Sequence, residues 1–307
     1  RIADMEGHQG TMNGKLNFRH FRDLSYHFEF NVNNMLLMDT KESSDINFYG
    51  KVYGTGNAML VGNPQELQVN AAVTTNRNTN FVYITNATAS AASNQFIKFI
   101  DKTPRRFVQD SINVISEYER LQQEMEEEET KTDIRLNLLI DATPDATMKI
   151  IMDPIAGDYI SGKGSGNIRT EFFNKGDVKM FGNYRISQGI YKFSLQEVIR
   201  KDFIIKDGSS ITFNGPPLDA TLDIQASYTV NSASLNDLIP DAADPITQQP
   251  NVKVNCIMNL TGILWRPNIK LGIELPNERD EIQTLVRNYI STEEQMNIQI
   301  LYLLGIG

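Results

Sequence analysis

The chain has 307 residues, 29 Lys+Arg against 38 Asp+Glu, one cysteine and a net charge of −9. That length supports a sizeable core, and 40% apolar with 22% charged residues is a globular composition, which excludes wholesale disorder. The acidic balance argues against nucleic acid or anionic headgroups as the main partner, and a lone Cys256 excludes a disulfide framework or a cysteine-built metal site.

Taken in chain order, the dominant signal is alternation of apolar and polar residues. Tyr26, Phe28, Phe30 and Val32 alternate with His27, Glu29 and Asn31, and Leu67, Val69, Ala71 and Val73 repeat the pattern. Ile134, Leu136, Leu138 and Ile140 follow, then Met148, Ile150 and Met152. Leu222, Ile224, Ala226 and Tyr228 come next, then Val252, Val254, Cys256, Met258 and Leu260, and finally Ile269, Leu271, Ile273 and Leu275. Period two predicts strands with one wet and one dry face, because successive side chains point to opposite sides. Weaker matches at 15–20, 45–53, 57–62, 81–85, 159–172, 178–186, 190–195, 202–206 and 209–213 bring the total to roughly fifteen strands. The expectation is an all-β fold with a long, curled, antiparallel sheet and no βαβ architecture. Gly50, Gly54, Gly56 and Gly62, and the run Gly162-Lys163-Gly164-Ser165-Gly166, read as bends or bulges. That run matches no phosphate-binding fingerprint.

Two stretches depart from period two. Val108, Ile112, Ile115, Leu121 and Met125 recur at helical spacing and end in an acidic tail, Glu126 to Glu129. Residues 278–304 read as two helices: Asn277 offers an N-cap to the first, and Thr292 with Gln295 forms a capping box for the second. The second is apolar almost all round, so it must be buried. The resulting division is 1–103 β, 104–132 a helical insertion, 133–276 β and 277–307 helical. With no start Met, no signal peptide and no 18-residue apolar run, the chain reads as a piece of a longer protein.

No catalytic constellation assembles. His8, His20 and His27 lack ligand spacing, so no metal or other cofactor is expected. Asp207-Gly208-Ser209-Ser210 looks like hairpin chemistry rather than a nucleophile elbow. Asn86-Ala87-Thr88 and Asn259-Leu260-Thr261 fit the glycosylation triplet, the second by chance inside a strand. Paired carboxylates are not recognisable from spacing in a β protein, which leaves a glycosidase open.

Roughly fifteen amphipathic strands make a dry face that must close on itself, pair with another sheet, or bind something greasy. One segment carries a family resemblance. Gly182-Asn183-Tyr184-Arg185-Ile186-Ser187-Gln188-Gly189-Ile190-Tyr191-Lys192-Phe193 resembles the G-x-Y-x-(apolar)-x-x-G-x-Y-x-F unit of the TamB family. The run from Ile204 through Gly208-Ser209-Ser210-Ile211-Thr212-Phe213-Asn214-Gly215 and Pro217-Leu218-Asp219-Ala220-Thr221-Leu222-Asp223-Ile224-Gln225-Ala226 resembles its next hallmark, with Ala220 where the family often has proline. Leu275-Pro276-Asn277-Glu278 and the helices ending Leu303-Leu304-Gly305 resemble its late helical element. The match is specific over 176–304 and looser over 7–100, and the 107–129 helix is not part of the pattern.

The resemblance implies the C-terminal part of an AsmA-like envelope protein of a diderm bacterium. Such a protein lies in the periplasm and is anchored in the inner membrane through a preceding segment. It forms a β-taco-like trough that shields phospholipid acyl chains, and it works with an Omp85-type, TamA-like outer-membrane barrel, without enzymatic chemistry. On that reading the trough is lined by Phe28, Phe30, Leu136, Leu138, Met148, Ile150, Leu222, Ile224, Val254, Met258, Leu271 and Ile273. Leu285, Tyr289, Leu301 and Leu304 would dock the barrel partner. The alternatives are an assembly factor that templates outer-membrane β-strands and, more distantly, a secreted polysaccharide-binding β-solenoid. The latter would need stacked aromatics on an outer face, whereas Tyr and Phe here mostly share the dry one.

Overall fold

The computed structural model describes residues 1–18, 24–43, 46–85, 132–195, 199–238 and 251–306. His20, Asn86 and the helical stretch expected over 107–129 lie outside them.

Fifteen strands are present among the described residues. They are β1 (Ile2–Ala3), β2 (Gln9–Asn17), β3 (Ser25–Thr40), β4 (Phe48–Gly62), β5 (Glu66–Thr75), β6 (Asn80–Ile84), β7 (Asp133–Ala142), β8 (Thr147–Asp153) and β9 (Asp158–Phe173), followed by β10 (Lys179–Leu195), β11 (Ile199–Ile205), β12 (Ser210–Gly215), β13 (Thr221–Ala233), β14 (Val252–Ile263) and β15 (Arg266–Glu274). A short helix α1 (Leu235–Leu238) follows β13, and α2 (Asp280–Tyr289) and α3 (Glu293–Ile306) close the chain. The all-β reading with two C-terminal helices is met.

All the strands join one sheet, ordered β1-β2-β3-β4-β5-β7-β9-β10-β11-β13-β14-β15. In place of a single uninterrupted trough, the pairing contains a closed circuit of six strands, β4-β5-β7-β9-β8-β6, with further strands on both sides. The circuit closes because β3 holds one edge of β4, so β5 and β6 follow each other along the other edge. Strands β7 and β8 do the same along β9, opposite β10.

The wholly antiparallel expectation is corrected here, because β5 pairs with β7 and β6 with β8 in parallel. Parallel neighbours need a connection of a dozen or more residues, and the sequence between β6 and β8 supplies it. The Asp207-Gly208 hairpin is also corrected. Strands β11 and β12 both pair with the same edge of β10, so this turn interrupts one long strand instead of reversing it. Gly208 takes a positive φ of 90° there, and Ser209 Oγ donates to the Lys206 carbonyl at 2.7 Å.

These interruptions line up across the sheet. Tyr53 N–H donates to Thr79 Oγ1 between β5 and β6, and Thr143 N–H donates to Thr75 Oγ1 between β7 and β8. Next to them Gly164 faces Ile186, where β10 bulges, and Ile186 N–H donates to the Ser209 carbonyl. Aligned breaks and bulges form a crease at which a sheet of this width can bend. A side chain on Gly164 would strike the Arg185 carbonyl, which is why glycine stands at the fold line. The β10 bulge adds one residue, so Tyr184 and Ile186 before it and Tyr191 and Phe193 after it are all buried despite their changed parity.

Helix α3 opens as the capping box predicts. Gln295 N–H donates to Thr292 Oγ1, and Thr292 N–H donates to Gln295 Oε1, each at 3.2 Å. Asn277 does not cap α2: the chain first turns, with Glu278 N–H donating to the Leu275 carbonyl, and the helix begins at Asp280. Helix α3 lies against β15 and reaches β11 and β13. Its Ile300, Leu303 and Leu304 join Ile282 and Val286 of α2 and the strand residues in one core cluster, which starts at Ile150. Ile298 and Tyr302 stay 61% and 41% exposed, so α3 is buried on one side only. No helix among the described residues is long and apolar enough to cross a membrane.

Candidate functional site

Cross-strand register carries the dry face from strand to strand. One row runs Gly14, Phe28, Leu60, Val69, Leu136, Phe172. The neighbouring row runs Met12, Phe30, Ala58, Ala71, Leu138, Thr170, Met180. Directly opposed side chains sit about 4.5–5.5 Å apart, so the first row is a continuous apolar stripe from Phe28 to Phe172, while the second is interrupted by Thr170, whose hydroxyl is buried with no partner among the described residues. Tyr26 stacks on Phe28 with centroids 6.2 Å apart, and Phe28 meets Phe30 at 6.4 Å. At the β2 end, Met12 and Leu16 are exposed.

The twelve trough residues expected from the sequence divide by position. Phe28, Phe30, Leu136, Leu138 and Met148 are half-buried. Ile150, Leu222, Ile224, Val254 and Met258 are buried in the core cluster, and Leu271 and Ile273 pack against it partly buried. Ala226 faces Met258, which faces Leu271, and Cys256 faces Ile273, so β13, β14 and β15 continue the same face. Burial pushes the Cys256 thiol up to about 12, so it stays protonated and inert.

Of the four docking residues, Tyr289 is exposed, Leu285 and Leu301 are half-buried, and Leu304 is a core residue. A docking role for Leu304 would require α3 to leave the sheet. The expected lining leaves out Leu60, Val69 and Phe172 of the first row; Val69 shows clean alternation and its place beside Leu136 comes only from the β5–β7 pairing, whereas the other two carry a weaker signal. Leu60 lies in a glycine-broken stretch and Phe172 stands directly beside Phe173, so neither shows clean alternation.

Cations cover aromatic rings on both faces, Lys201 lying 5.2 Å over Tyr228 beside the core. On the wet face Arg135 covers Phe173 at 4.5 Å, Arg169 covers Phe181 at 4.6 Å, and Lys149 covers Tyr159 at 4.0 Å. Cations over these rings keep aromatic surface wetted. The row through Phe28 carries no such cover from a described cation.

Among the described residues no group of three or more His, Cys, Asp or Glu could hold a metal ion. His8 instead bonds Asp4 Oδ2 through Nδ1 at 2.8 Å, and Asp4 also accepts the backbone N–H groups of Leu36, His8 and Glu6. Burial alone would raise the Asp4 carboxyl, but these hydrogen bonds hold it well below the usual carboxylate range. Asp4 thus pins the N-terminal loop to β3.

The family profile of the TamB C-terminal domain matches residues 1–305. No curated protein matches the chain, and no solved structure does.

Proposed function

Since the chain belongs to the TamB C-terminal domain family, we propose that its dry face shields phospholipid acyl chains on their way between the two membranes of a diderm envelope. Membership carries a TamB-type envelope role within the translocation and assembly module. The observation that supports lipid in particular is the row Phe28, Leu60, Val69, Leu136, Phe172, which is apolar, continuous over five strands and mostly half-buried. Apolar contact is non-directional, so acyl chains slide along such a stripe while headgroups stay in water. The mechanism needs no energy input from this part of the protein.

On this reading the segment from β2 to β9 is where lipid lies, and the helices α2 and α3 end the path by covering the dry face of β11 to β15. Tyr289, with exposed Ile298 and Tyr302, is the surface offered to an Omp85-type barrel. On the same reading the protein is held at the inner membrane by an anchor.

Protein purified without detergent, extracted and analysed by mass spectrometry, tests the reading. Bound phospholipid that is lost in a folded Leu136→Arg variant is the expected result. A lipid-free wild-type protein overturns it. A second reading, templating of barrel strands, draws on β15, which among the described strands pairs only with β14. Cross-links from the free edge of β15 to incoming hairpins, in lipid-free protein, would favour it.

A further inference from the structure

The wet face of the same sheet is hollow. A recess of about 810 Å³ opens across β2, β3, β4, β5, β7 and β9, lined mostly by wet-face residues, with Phe30, Ala58, Ala71 and Leu138 of the dry-face row also reaching it. A twisted sheet is saddle-shaped, so its outer face is concave along one diagonal even where the sheet curls the other way. The volume falls within the roughly 300–1,000 Å³ of small-molecule sites.

Asn31 and Asn57 face each other across β3 and β4, with Asn13 on β2 close by. All three are exposed, and their side-chain amides make no hydrogen bond with another described residue. Beside them Asn137 Nδ2 donates to Asn70 Oδ1 at 2.9 Å, which orients that pair and leaves one donor group and one acceptor directed elsewhere. Glu29 and Glu171 stand at the two ends of the row Glu29, Met59, Asn70, Asn137, Glu171. Met59 on β4 and Leu139 on β7, with β5 between them, supply two aliphatic patches, 37% and 57% exposed. Arg169, the recess's cation, already lies 3.6 Å from Glu171.

We propose that this recess binds an uncharged oligosaccharide. A sugar hydroxyl both donates and accepts, which matches free amides flanked by carboxylates. The C–H faces of two separate pyranose units match the Met59 and Leu139 patches. Two carboxylates against one engaged guanidinium give no net positive charge, which disfavours phosphate, nucleic acid or an anionic headgroup. With no aromatic ring among its wet-face lining residues, affinity is expected near about 1 mM. An extended peptide is the competing class, because amide side chains also pair with backbone.

The test is titration of the isotope-labelled chain with cellohexaose, maltohexaose and an uncharged Gly-Ser dodecapeptide, followed by NMR shifts. Binding of a hexasaccharide that weakens about tenfold in Asn57→Ala and in Asn31→Ala, with Lys253→Ala unchanged and all variants folded by circular dichroism, is the expected result. The proposal is overturned if neither saccharide shifts the recess at about 10 mM, if the amide variants bind as tightly as wild type, or if only the peptide binds.

Discussion

Leu222, Ile224, Val254 and Met258 are at most 1% exposed, while Phe28, Phe30, Leu136 and Leu138 occupy the same face of the same sheet and are only half-buried. The two sets are indistinguishable as patterns, since each is an apolar residue at every second position. What separates them is cover. Against β15, β11 and β13 lies α3, whose Ile300, Leu303 and Leu304 share one core cluster with Ile282 and Val286 of α2. Over β2 to β7 no described helix lies. An amphipathic strand therefore specifies which side is dry, but not what keeps it dry.

A charge placed in each half separates them most sharply. Ile224→Asp buries a carboxylate without a partner and should cost about 3–5 kcal/mol, whereas Leu136→Asp, half-exposed, should cost about 1 kcal/mol. Urea unfolding followed by circular dichroism measures both, and equal losses would break the distinction. Next in size is the cover itself. Leu303→Ala removes packing from the core and should cost about 3 kcal/mol. It should also raise the amount of phospholipid that copurifies, since the uncovered strands extend the apolar path. Unchanged lipid content in a destabilised variant would mean that α3 does not end the path.

The smallest expected effect lies at a polar flaw in the packed half. Burial, with Asp153 nearby, pushes the Asp158 carboxyl up to about 6, against hydrogen bonds from Ser194 N–H at 2.7 Å and from Tyr191. Ionising such a group opposes folding. Stability should therefore fall as pH rises from the ordinary carboxylate value near about 4 toward the folded value near 6. Asp158→Asn should flatten that fall and add about 1 kcal/mol at neutral pH, after allowance for partial exposure. Thermal melts across that range decide it, and a wild-type profile without the fall would refute the assignment.

Much of the sheet was legible from residues alone because strand alternation is a local property. Met148-Lys149-Ile150-Ile151-Met152 and Val252 to Leu260 announce both their conformation and their dry side. The capping box at Thr292 and Gln295 was equally legible, since both partners lie within one turn. The long strands β4 and β10 each look like two pieces in the sequence, because glycines and a bulge interrupt the pattern without ending the ladder. Asp207-Gly208 failed in the opposite sense: a hairpin signal sits inside one strand position, held there by β10 and β13. Of the candidate surface, the dry residues were legible and their differing burial was not. The hollow on the wet face left no mark in the pattern, since exposed asparagines on strands are ordinary.

By itself, then, the chain's order of residues determined an all-β protein with one dry side, an acidic exterior and two closing helices. Period two, glycine placement and helix caps act over a few neighbouring residues and need no other part of the molecule. Only the tertiary structure decided the parallel pairings of β5 with β7 and β6 with β8, the crease shared by successive strands, and which half of the dry face the helices cover. Those depend on which distant segments meet, and pairing energy between similar amphipathic strands is nearly the same for many partners. The choice among them is made by the whole sheet closing around its core, not by any strand alone.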